Sequence, residues 1–237
     1  MPSRGPASKM LLMTDPGAVT GPPPRLATSV PAVRAAGIAG LLLAVLMTAA
    51  LLLLRDPPPP DVAAFPSWWR GYQPRYLVGL YLIPFAGIAF LWLIAAVRTR
   101  LGSREDQFYA TVLLGSGLLF VAMTFISGAA AAAASVLADV EGDPAYDAFV
   151  FGRALARACF FVFATKMAAA FMLTASTLGR RTEVLPRWFV VVGMVLGLAM
   201  LVVVTAIELI ALVFPAWVAV LSVILLRVRR EAWVGTT

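Results

Sequence analysis

Two ionisable side chains stand in apolar surroundings where a charge is costly. Lys166 lies well inside the block 148–178, and Glu208 interrupts the apolar stretch 188–226. A lysine at the centre of a bilayer costs about 2.5–3.5 kcal/mol on the insertion scale, so such a residue usually faces a partner or a wet cavity. Glu208 is the one acidic residue near the apolar blocks outside the 139–147 loop, and a Lys166–Glu208 contact is the expected pairing. That contact would serve either as a structural tie or as part of a transport path. Arg153 and Arg157 are four residues apart and share a helix face. They suit snorkelling to headgroups or pairing with Asp147, or alternatively an anion or lipid-headgroup site at the outer interface.

Other chemistry is poorly supplied. The spacing Asp139-x-Glu141-x-Asp143 resembles a calcium loop only superficially. Pro144 stands where the loop glycine belongs, and the distal glutamate is missing. No metal site is expected. Gly115-Ser116-Gly117 has no histidine to activate its serine, because the chain contains no histidine at all. That absence removes histidine metal sites and histidine-based triads and proton relays. The single cysteine, Cys159, sits in an apolar block and reads as a small buried hydrophobe. No phosphate-binding glycine loop is present. No catalytic residue and no cofactor are expected.

The elements that hold these residues are legible from composition and charge. The chain is 61% hydrophobic and 13% charged, with mean hydropathy +0.90. Soluble domains run near 45–50% and 25%, so bilayer is the natural solvent. Apolar blocks span 35–54, 76–97, 108–137 and 148–178. The last stretch, 188–226, would be about 58 Å long as one helix, against a hydrocarbon core of about 30 Å. It reads as a hairpin turning near Glu208, with helices 188–207 and 209–226. The expected fold is an all-α polytopic membrane bundle of six transmembrane helices over 35–227, preceded by a disordered cytoplasmic tail, 1–34, and followed by a short tail, 228–237.

Charge orients the bundle. With six helices and the N-terminus inside, thirteen Lys and Arg residues fall in inner segments and three, Arg55, Arg70 and Arg75, in outer ones. Basic residues favour the cytoplasmic side, so both termini are expected inside. The net charge of +7 then meets anionic headgroups, and nucleic acid is not an expected partner. Trp68, Trp69, Tyr72 and Trp188 lie where interfacial aromatics anchor helices. Between helices, packing is expected through Gly193 and Gly197, and through Ser127, Ala131 and Ser135, small residues at four-residue spacing that let backbones approach.

The sequence Leu185-Pro186-Arg187-Trp188 before a glycine-bearing helix, then Phe214-Pro215-Ala216-Trp217 and a terminal arginine cluster, resembles small uncharacterised bacterial integral membrane proteins with six helices. The resemblance covers the last third of the chain and implies no activity. The abundance of arginine over lysine fits a bacterial source, hence a multi-pass protein of the bacterial plasma (inner) membrane. The leading expectation is a non-enzymatic accessory, sensor or scaffold protein whose partners are the lipid bilayer and other membrane subunits. A small transporter or permease subunit using Lys166 and Glu208 is the alternative, and a membrane enzyme the third.

Overall fold

A computed structural model describes residues 30–101, 107–139, 144–203 and 208–234. All regular structure among them is helical. The elements are α1 (Val30–Leu53), a short 3-10 turn (Val62–Ala64), α2 (Phe65–Leu101), α3 (Gln107–Leu137), α4 (Pro144–Ala158), a π-helical segment (Cys159–Ala164), α5 (Thr165–Arg181), α6 (Arg187–Val202) and α7 (Glu208–Val234). Because α4, the π segment and α5 run on without a break, they form one rod, and the described residues make six rods. Among the described residues, four helical stretches are long and apolar enough to cross a membrane: Val62–Arg98, Gln107–Leu137, Ala145–Arg181 and Leu209–Arg227. The 37–53 part of α1 and the whole of α6 are apolar but shorter.

Several boundaries differ from those read in the sequence, each for a physical reason. Helix α1 begins at Val30, inside the stretch expected to be a disordered tail; residues 1–29 lie outside the described residues. Helix α2 begins at Phe65, eleven residues before Tyr76. Phe65, Trp69, Tyr72 and Tyr76 recur at helical spacing and are all buried, so this polar-looking entry has its own apolar stripe. Pro66 sits in the first turn, where no N–H is needed. Helix α6 stops at Val202 rather than 207, and α7 carries on to Val234.

The rods pack in a definite order. Helix α1 lies on α2 and α7, α3 touches α2, α4 and α5, and α6 rests mainly on α5. Helices α6 and α7, although consecutive, touch little. Phe189 of α6 stacks on Trp217 of α7 with ring centroids 5.3 Å apart. Two apolar centres result. In one, Phe90, Phe120, Phe171 and Phe214 from α2, α3, α5 and α7 meet edge to face or tilted, at 4.8–6.2 Å between centroids. In the other, Phe65, Trp68, Trp69 and Tyr76 of α2 surround Phe149 of α4, with Tyr72 packed against Trp68, Trp69 and Tyr76, at the end of the bundle where α1 finishes.

This second centre corrects the interfacial reading of Trp69 and Tyr72. Their rings are buried, and their polar atoms turn inward. Trp69 Nε1 donates to Asp139 Oδ1 (2.8 Å) and Tyr72 OH to the Leu53 carbonyl (2.8 Å). Trp188, by contrast, is largely exposed. The proline-rich linker after α1 is held down as well, since Tyr146 OH donates to the Pro59 carbonyl (3.1 Å).

Candidate functional site

The rod formed by α4, the π segment and α5 carries Arg153, Arg157 and Lys166, and the fold gives two of these cations the same task. A helix leaves its last carbonyls without intrahelical partners, and its C-terminal end carries about half a negative charge. Arg153 is 9% exposed. Its two terminal nitrogens donate to the carbonyls of Leu54 (3.0 Å) and Arg55 (2.7 Å), just past the end of α1. Together with the Tyr72 hydroxyl on Leu53, this satisfies three successive carbonyls where the first helix ends. Lys166 does the equivalent for α6. Its Nζ donates to the carbonyl of Met200 (2.7 Å) and to that of Val203, the C-cap residue.

Helical rise explains why Lys166 meets α6 there. Lys166 is fifteen residues before the end of α5 at Arg181, and Val202 is fifteen residues beyond the start of α6 at Arg187. Both therefore climb about 22 Å from the connection between the two helices. The ammonium arrives at the height where α6 runs out.

Neither Arg153 nor Lys166 forms an ion pair among the described residues. The ion pair found there joins Arg75 to Asp56 at 3.3 Å, on the surface. Glu208 is the first residue of α7, and its side chain lies outside the described residues, as do Glu141 and Asp143. Asp147 is exposed in the first turn of α4, and Arg153 does not pair with it. Asp139 is engaged by Trp69 and by Gln73 Nε2 (3.0 Å). No group of three potential metal-binding side chains occurs among the described residues. Ser116 is buried and bonds its own helix at the Val112 carbonyl (2.7 Å), and Cys159 is buried at the head of the π segment.

The small residues hold the rods together. A methyl group on Gly193 would lie 2.3 Å from Ser176 Oγ and 2.8 Å from Trp217 Nε1, and one on Gly197 would lie 2.9 Å from Leu173 Cγ. Both glycines thus face α5. Ser127 of α3 donates to the Ala156 carbonyl of α4 (2.8 Å), while Ala131 is buried and its carbonyl accepts from Tyr76 OH (3.0 Å). Ser135 bonds its own helix at Ala132 (2.7 Å). The residue that lets α3 and α4 meet is Gly152, whose added methyl would strike Ala134 Cβ at 2.8 Å. Gly152 next to the alanine run is the signal that sequence reasoning passed over.

Beside the Arg153 cap is a cavity of ≈ 100 Å³ between α1, α2, α3, the α4–π rod and Ala211 of α7. Arg55, Arg153 and Arg157 line it together with Tyr76, Thr124 and Ser127, and the remaining wall is apolar. Arg157 stands with its guanidinium 5.0 Å from the Phe161 ring centre, a cation–π distance. The cavity therefore brings Arg153 and Arg157 together, whereas Lys166 is in a separate environment. Arg55 and Tyr76, absent from the sequence reading of the site, join the two arginines because α1 ends beside α4. No family model, curated protein or solved structure matches the chain.

Proposed function

We propose that the protein is a six-span integral protein of the bacterial inner membrane, with both termini in the cytoplasm, acting as an accessory, sensor or scaffold component rather than as an enzyme. The charge distribution along the chain supports the orientation, since basic residues gather on one side of the six rods. The observation that carries the non-transport reading is the commitment of Lys166. Its ammonium is taken up by two carbonyls at the end of α6, which is what a structural clasp does. A transport residue has to exchange partners during a cycle, and a group that closes a helix end exchanges them at the expense of that end.

Cysteine labelling tests both parts. In a Cys159→Ala background, Pro59→Cys should react with a membrane-impermeant thiol reagent in intact cells, and Glu183→Cys only after permeabilisation. The reverse pattern, or equal labelling of both, would sink the topology. Lys166→Cys should stay unlabelled from either side. Rapid labelling there would reveal a water path and favour the transporter reading.

A further inference from the structure

Four helices each present an alanine to the cavity beside α1. Ala50 of α1, Ala131 of α3, Ala156 of α4 and Ala211 of α7 line it, and all four are buried. Helix α1 packs on α2 and α7 and barely on the rod that carries Arg153. Small side chains therefore leave a gap where larger ones would close it. Packed interiors hold few voids larger than a water molecule. One water needs about 10–15 Å³ of such space, so a cavity of ≈ 100 Å³ has room for something larger.

The walls select against a polar occupant. Buried water needs about two to four polar partners, and the polar side chains here are engaged elsewhere. Arg153 serves the carbonyls of Leu54 and Arg55. Tyr76 OH is bonded to the Ala131 carbonyl, Thr124 Oγ1 to that of Phe120 (2.7 Å) and Ser127 Oγ to that of Ala156. Arg157 lies against the Phe161 ring and is engaged as well, and Arg55 is exposed. The rest of the wall is hydrocarbon, chiefly Met47, Leu51, Ile83, Phe160 and Phe161. The last two belong to the π segment, a departure from α geometry that recurs at functional sites. An apolar cavity of about 150 Å³ stays dry and takes up benzene or xenon. This one is somewhat smaller and has the same chemistry.

We propose that this cavity binds one compact, neutral, apolar molecule of xenon or benzene size, seated against Met47, Phe160 and Phe161. Its volume suits a free small molecule and not a lipid chain. The test uses the full chain in detergent micelles, with carbon-13 labels on the methionine methyls. Under xenon, or with benzene, the Met47 resonance should shift and saturate. That of Met172, buried in the four-phenylalanine centre, should stay in place. Benzoate, of similar size but charged, should leave Met47 unmoved. Ala50→Val and Ala211→Val each put two more carbons into the wall. Either variant, once folded, should bind benzene about tenfold more weakly or worse, and should unfold at a higher temperature because filled space packs better. Any of five results would overturn the proposal: no shift at Met47, an equal shift at Met172, benzoate binding as tightly as benzene, a contact between detergent tails and the Met47 methyl, or full benzene affinity in either folded variant.

Discussion

Arg153 and Lys166 finish two helices with different chemistry, and the difference shows what each end requires. Beyond α1 the chain turns away, and the carbonyls of Leu54 and Arg55 are consecutive. Consecutive carbonyls outside a helix diverge, and the planar fork of a guanidinium reaches both from separate nitrogens. At α6 the accepting carbonyls are three residues apart, Met200 and Val203. Carbonyls at that spacing come together on one side of a helix end, where a single ammonium serves both. The arginine is buried and walled in by the aromatic cluster, while the lysine is half-buried.

Removing each cation should therefore have unequal consequences. Arg153→Met leaves two carbonyls without their donor in a buried place, at about 1–3 kcal/mol each, and should cost about 3 kcal/mol in a detergent unfolding titration. Arg153→Lys should recover less than half, because one nitrogen cannot span two diverging acceptors. A loss below 1 kcal/mol for Arg153→Met would mean the carbonyls find other partners, and the contrast with Lys166 would vanish.

Gly193→Ala comes next. The new methyl meets Ser176 Oγ and Trp217 Nε1, two buried polar atoms that have no hydrogen-bond partner among the described residues. Overpacking of this kind costs about 1–3 kcal/mol. Adding Ser176→Ala should return part of it, and strict additivity in that double-mutant cycle would show that the two side chains do not meet.

Lys166→Met should have the smallest effect, about 1 kcal/mol of destabilisation. It gives up two charged hydrogen bonds but, on the proposed membrane-spanning reading, also removes a charge from the bilayer, which returns about 2.5–3.5 kcal/mol. A loss equal to that of Arg153→Met would show that half-exposure makes no difference to a helix-end cation.

The unequal legibility of the two ends in the sequence has a physical basis. Hydropathy and block length disclosed the helical class and the separate α6 and α7, because those follow from local composition. Lys166 stood out for the same reason. Its partners did not, because a lone cation prompts a search among acidic side chains, and backbone carbonyls carry no residue-type signal. Arg153 and the end of α1 are nearly a hundred residues apart, and nothing local joins them. The residues Arg55-Asp56-Pro57 end α1, and a helix end needs donors, but the type and position of the donor are not written there. Trp69 and Tyr72 misled because an aromatic pair ahead of an apolar block looks the same whether it faces headgroups or another helix. Only the position of Phe149 decides between them.

The six residues Cys159–Ala164 separate the two cations, and across them the backbone bonds five residues back instead of four, as the Thr165 N–H does to the Phe160 carbonyl. Each residue turns a helix by about 100°. Dropping one from this segment would swing Lys166 off α6 while leaving Arg153 in place on α1, and the rod would then serve one neighbour instead of two. The stretch is thus under a constraint of count more than of kind. Apolar exchanges within it are mild changes, whereas gaining or losing a single codon would put the two halves of the molecule out of phase.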